Sequence, residues 1–104
     1  MNSPLPTPAF SDLQKLIEKA KEDLAQRLSV PVNQINVVDA QEVLWPDSSL
    51  GCPEKGMAYT QVLTPGYLIR LESGGQEFEY HASRKTFIYC VNPSPPVPGA
   101  SPDI

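Results

Sequence analysis

The chain has 104 residues, of which 40% are hydrophobic and 19% charged, and its formal net charge is −4. That length suits one domain rather than two. Eight basic residues against twelve acidic ones, with no basic cluster beyond Arg84-Lys85 and the alternating charges of one helix, argue against binding nucleic acid or anionic lipid, because both need a surface that displaces counterions from phosphate.

Proline punctuates the chain. Three of the twelve lie in residues 1–8 and five in residues 93–102. Residues 1–9 are therefore expected to be a flexible lead-in, residues 10–92 the single folded unit, and residues 93–104 an extended, disordered tail of polyproline character. Such tails resemble ligands of SH3-like domains, but a plain linker or frayed end is the simpler expectation. Residues 1–8 have neither the basic nor the apolar region of a signal peptide, and no apolar run approaches the ~20 residues of a membrane span. The expected compartment is the cytoplasm, or an extracytoplasmic space if this chain is a mature form.

Residues 11–29 carry the first element. Leu13, Leu16, Ile17, Ala20, Leu24 and Leu28 recur at helical spacing on one face. Ser11 followed by Gln14 fits a capping box, and Pro31 stops the helix. The polar face is mixed in sign, which suits a helix laid on a sheet better than one laid on a membrane.

Strand signals follow. Ile35 to Trp45 is rich in β-branched residues, with a bend near Asp39-Ala40. Ala58 to Leu63 is a second candidate, and Gly66 to Leu71 continues it or follows a bulge at Thr64-Pro65-Gly66. Ser73-Gly74-Gly75 reads as a hairpin turn. Gln76 to His81 and Thr86 to Val91 complete the set, with Ser83-Arg84-Lys85 as the turn between them. The expected fold class is α+β: one N-terminal helix packed on a four- to five-stranded antiparallel meander sheet.

Between the first two strands lies the unusual segment, Trp45-Pro46-Asp47-Ser48-Ser49-Leu50-Gly51-Cys52-Pro53-Glu54-Lys55-Gly56-Met57. It is long for a small domain. Its prolines fix φ and its glycines permit positive φ, so one ordered shape is expected. A rigid loop on a sheet is a common place for function; the competing expectation is a structural corner in which Trp45 and Leu50 complete the core.

The runs Trp45-Pro46-Asp47-x-Ser49-Leu50-Gly51-Cys52-Pro53, Gly56-Met57-x-Tyr59-x-Gln61, Pro65-Gly66-Tyr67-x-Ile69-x-Leu71 and Tyr80-His81 together resemble a small bacterial domain family of cyanobacterial and actinobacterial proteins. Its members often occur in exported or lipoprotein contexts and have no settled function. The resemblance covers roughly residues 20–91, and Lys55 departs from it by standing where proline is frequent. At the level of fold alone, the order of elements is also similar to PepSY-like and cystatin-like inhibitory domains, and fold does not fix function.

Chemistry is sparse. Trp45-Pro46-Asp47 is similar to the acid loop of tyrosine phosphatases, but those enzymes need arginine six residues after cysteine, and here Ala58 and Pro96 hold those places. A hydrolase would have to pair His81, the only histidine, with Ser48 or Ser49 and use Asp47 to orient it; no Gly-x-Ser-x-Gly elbow is present. Cys52, Cys90 and His81 match no standard zinc spacing, so no metal is expected. The two cysteines are candidates for a disulfide contributing about 3–4 kcal/mol, or for two free thiols in a reducing compartment. Gly74-Gly75 is a turn and not a phosphate cradle, so no cofactor is expected. Tyr59, Tyr67, Tyr80, Tyr89, Phe78 and Phe87 are expected on the strands, where they stabilise the sheet as cross-strand pairs or form a binding face.

The leading expectation is a monomeric, non-enzymatic binding module that presents the loop 46–57 to a protein or peptide partner, with inhibition as one form of that role. Trp45, Leu50, Pro53 and Met57 would supply apolar contact or support, and Asp47, Ser48, Ser49 and Lys55 polar contact. A structural or folding-assistance domain is the alternative, and a small hydrolase or metal-binding protein using His81 and Cys52 is third.

Overall fold

The structure is a computed structural model and describes residues 8–91 and 93–98, with side chains from Leu13 onward. Helix α1 spans Pro8–Leu28, a 3-10 turn spans Val32–Gln34, and four strands follow: β1 Asn36–Trp45, β2 Thr64–Ser73, β3 Gln76–Ser83 and β4 Phe87–Cys90. The sheet is an antiparallel meander in the order β1-β2-β3-β4.

Helix α1 begins three residues before the predicted start. Pro8 takes the first turn, where its missing N–H is no loss, so Ser11 lies within the helix. The far end closes as a Schellman motif. Val30 N–H donates to the Ala25 carbonyl and Ser29 N–H to that of Gln26, with Ser29 at a φ of 56°. Pro31 then forbids continuation. The predicted apolar face is the buried one: Leu16, Ala20 and Leu24 pack against Tyr67, Ile69, Leu71 and Tyr80 of the sheet, with Leu13, Ile17 and Leu28 at the margin.

Strand β1 bends where its register shifts between Val37 and Asp39, one residue from the predicted position. The extra residue, Val38, forms a bulge and remains exposed beside Val37. The β2–β3 hairpin turns through Gly74 and Gly75, with φ values of 62° and 83°. That pair of left-handed residues matches the right-handed twist of the strands it joins.

Ala58 to Leu63, predicted as a strand, is irregular. Strand β1 pairs with β2 as far as Trp45 opposite Thr64, and beyond it residues 46–63 form no ladder, although Thr60 is hydrogen-bonded to Ser48. The β1–β2 connection therefore spans residues 46–63, and the sheet has four strands. Tyr59 consequently sits in this loop and not on a strand.

The sheet is covered on both faces. Helix α1 covers one. On the other, Val43, Trp45 and Leu68 pack with Leu50 of the loop, and Ile88 borders them. The alternation of side chains along β3 assigns Tyr80 and Ala82 to the helix face and His81 to the loop face.

Candidate functional site

Trp45 anchors the loop. Its indole is fully buried, and its Nε1–H donates to the Ala82 carbonyl at 3.0 Å. Gly66, on the intervening strand, makes this reach possible: a Cβ there would collide with the Ala82 carbonyl oxygen and lie 3.0 Å from the indole nitrogen. His81 stacks on the indole with ring centroids 4.4 Å apart and planes 17° from parallel.

His81 is itself fully buried, with both ring nitrogens in use. Nδ1 lies 2.7 Å from the Leu50 carbonyl and Nε2 lies 2.7 Å from Oε1 of Glu79. A carbonyl only accepts, so Nδ1 carries a proton. The lone histidine is thereby a clamp on the loop. Its nitrogens face Leu50 and Glu79, and not the Ser48, Ser49, Asp47 or Cys52 that a hydrolase would require.

The chain over this clamp turns tightly. Leu50 and Gly51 both have positive φ, 59° and 69°. A Cβ on Gly51 would stand 2.5 Å from the Trp45 ring on one side and 2.6 Å from the Ser94 carbonyl oxygen on the other. Asp47 holds the turn's entry, accepting from the Ser49 N–H at 2.9 Å and the Ser49 hydroxyl at 2.5 Å. That hydroxyl, then the amide, holds the Asp47 carboxyl below its ordinary value. Cys52 closes a disulfide with Cys90 of β4, their Cα atoms 5.6 Å apart and 38 positions apart in sequence. The bond ties the loop to the opposite edge of the sheet and removes both sulfurs from metal ligation. Among the described residues no cluster of three His, Cys, Asp or Glu side chains is placed to hold a metal ion.

Beyond Cys52 the character of the loop changes. Pro53, Glu54, Lys55, Gly56, Met57 and Ala58 are all exposed. A turn carries the tip, with Met57 N–H donating to the Glu54 carbonyl at 3.1 Å and Gly56 at a φ of 83°. The Glu54 N–H donates to the Tyr59 hydroxyl at 2.9 Å. A neck joins the two halves: Ser48 N–H donates to the Thr60 carbonyl, and Thr60 N–H donates back to the Ser48 hydroxyl.

The eight loop candidates thus divide. Trp45, Ser49 and Leu50 are buried and support the loop from below, with Asp47 half-buried at its entry. Ser48, Pro53, Lys55 and Met57 are exposed. Sequence reasoning missed Val62 and Leu63, whose side chains are 51% and 54% exposed; reading them as a strand assigned them to the sheet. It also missed the clamp role of His81 and Glu79, for which residues two apart on one strand face were the available signal.

Residues 93–98 lie against the same side of the molecule, with Ser94 N–H donating to the Gly51 carbonyl at 2.7 Å and Val97 N–H to the Leu44 carbonyl at 2.8 Å. Residues 1–7 and 99–104, the remainder of the expected flexible ends, lie outside the described residues. No helix is long and apolar enough to cross a membrane among the described residues.

No curated protein and no solved structure matches the chain. A family profile does match, over residues 17–90, a span that takes in Ala20 and Leu24 of the buried face of α1, all four strands, the whole loop and both cysteines. The chain belongs to that family, a domain of unknown function designated DUF8738.

Proposed function

We propose that the domain is a non-enzymatic binding module whose contact surface is the outer half of the β1–β2 loop, residues 53–63. One observation carries this reading. Met57, Val62 and Leu63 are 59%, 51% and 54% exposed on a segment whose base is held by a disulfide, a buried indole–imidazole stack and the Ser48–Thr60 neck. Large apolar side chains held out in water mark contact sites when they cluster. A base fixed in advance lowers the conformational entropy lost on association. Pro53 and Lys55 flank the tip, and the partner is a protein or peptide with an apolar recess. Inhibition of a protease is one form such binding takes.

The test compares the full chain with a Met57→Asp/Val62→Asp/Leu63→Asp variant. Both would serve as bait in crosslinking capture and would be assayed against a protease panel. The reading expects a bound species or an inhibited enzyme with the parent chain, lost in the variant while its melting temperature is unchanged. Identical behaviour of the two proteins defeats it. Exposed Val37 and Val38 at the bulge of edge strand β1 favour the second reading, a structural domain that works beside a larger protein; there the same three substitutions leave association intact and Val38→Asp abolishes it.

A further inference from the structure

Residues 93–98 read Pro-Ser-Pro-Pro-Val-Pro. Proline has no N–H, so this stretch owns two backbone donors, those of Ser94 and Val97. Both are used, the first on Gly51 and the second on Leu44. Four prolines hold φ near −65° and push the residues before them toward the extended region, which together is polyproline II. That helix repeats every three residues, so donors at 94 and 97 lie one turn apart on the same side. The spacing of the two non-prolines is the spacing needed to face one surface.

The surface is shaped to receive them. From the end of β4 the strap passes Glu79 of β3 and Leu68 and Arg70 of β2, with a cleft of 250 Å³ between it and the sheet, and it reaches Leu44 in β1. Gly51 lets it come close, because a Cβ at that position would lie 2.6 Å from the Ser94 carbonyl oxygen. The cleft floor is partly apolar at Leu68 and charged at its rim. Arg70 there lies 3.2 Å from Asp39 and 3.6 Å from Glu79. The strap itself is shallow: Pro93, Ser94, Pro95 and Pro98 are exposed, and only Pro96 and Val97 are half-buried.

We propose that the sheet face opposite α1 is a docking groove for proline-rich peptides in the polyproline II conformation, occupied here in cis by the chain's own residues 93–98. The partner it fits is a proline-rich segment with a non-proline at every third position, whose two N–H groups reach the Gly51 and Leu44 carbonyls. The tethered strap competes with that partner as an intramolecular ligand, at an effective concentration on the order of millimolar. This groove is separate from the loop tip at residues 53–63.

The probe is a fluorescein-labelled, end-capped hexapeptide Pro-Ser-Pro-Pro-Val-Pro. The control is a hexaproline peptide, which keeps the helix and lacks both donors. The protein is the full chain carrying Ser94→Pro and Val97→Pro, which removes the strap's own two donors without changing its conformation. Fluorescence anisotropy should show the probe binding this variant at least about tenfold more tightly than the parent chain, and hexaproline at least about tenfold more weakly than the probe. Absence of binding to the variant, or equal binding of hexaproline, overturns the proposal. A second measurement uses the unaltered chain and so does not depend on the variant folding. Amide exchange at Ser94 and Val97 should quicken when unlabelled probe is added at ten-millimolar levels and not when hexaproline is. Unchanged exchange at both amides overturns the proposal as well.

Discussion

One sheet carries two covers of different kinds. On the helix face, α1 contributes repeated small apolar contacts, Leu16, Ala20 and Leu24 against Tyr67, Ile69 and Leu71. Polar connections join them too: the Tyr80 hydroxyl donates to Asp23 at 2.6 Å, Arg27 pairs the same carboxylate at 2.6 Å, and the Arg27 guanidinium lies over the Tyr89 ring. On the loop face the cover has no regular structure. It is held by a disulfide, a ring stack, a buried imidazole hydrogen bond to the Leu50 carbonyl and a glycine wedged between an indole and a carbonyl. A regular cover draws stability from area and tolerates adjustment, because many weak contacts share the work. An irregular cover must satisfy each of its backbone groups individually. It concentrates stability in a few atoms and leaves the rest of the loop free to face outward.

This contrast is sharpest at Trp45. Trp45→Ala removes the stack, the hydrogen bond to Ala82 and the floor under Gly51 together. It should cost about 3–5 kcal/mol, read as the shift in urea midpoint, and should detach the loop. Leu24→Ala on the helix face falls in the lower part of the range of about 2–5 kcal/mol, since neighbouring side chains can settle into the space. A Leu24 variant hurt more than the Trp45 variant would reverse the comparison.

Reduction of Cys52–Cys90 comes next, at about 2–4 kcal/mol. It should raise amide exchange in residues 50–63 more than in α1; equal loosening of both would show that the two covers are not independent. Asp23 supplies a pH test confined to the helix face. Burial opposes its charge, but hydrogen bonds from Tyr80 and Arg27 outweigh that and hold the carboxyl below its ordinary value of 3.8. A depressed carboxyl contributes stability that is present above the unfolded value and lost as pH falls through the folded one. Parent protein should therefore lose about 1 kcal/mol or less from this source below about pH 4, after discounting for a partly exposed pair, and Asp23→Asn should flatten that part of the curve. Burial, together with the same hydrogen bond, pushes the Tyr80 hydroxyl far above its ordinary value, so Tyr80 should stay protonated in an ultraviolet titration through about pH 10, where a free tyrosine ionises. At the small end, Met57→Ser and Leu63→Ser should change stability by no more than about 0.5 kcal/mol. A larger loss would mean that the outer loop is part of the cover and not a display.

Much of this protein was legible in its residues. The helical spacing from Leu13 to Leu28 fixed α1 and its buried face, because a 3.6-residue period survives any packing partner. The Gly74-Gly75 pair dictated a two-residue hairpin, and alternation marked β3. The shared candidacy of Cys52 and Cys90 became a bond only because the fold brings residue 52 back over β4. Which loop residues point inward was decided by tertiary structure: Pro53, Lys55 and Met57 have the same local character as their neighbours, and only the seat of Trp45 against Gly66, Ala82 and His81 determines where the chain turns outward. Ala58 to Leu63 carries strand-forming residues, but propensity forms a strand only with a partner ladder, and the pairing at Thr60 with Ser48 does not extend into one. Proline content made residues 93–98 extended by covalent geometry alone; where the two remaining N–H groups found their acceptors depended on carbonyls 43 and 53 positions away in the chain, a distance that no local pattern spans.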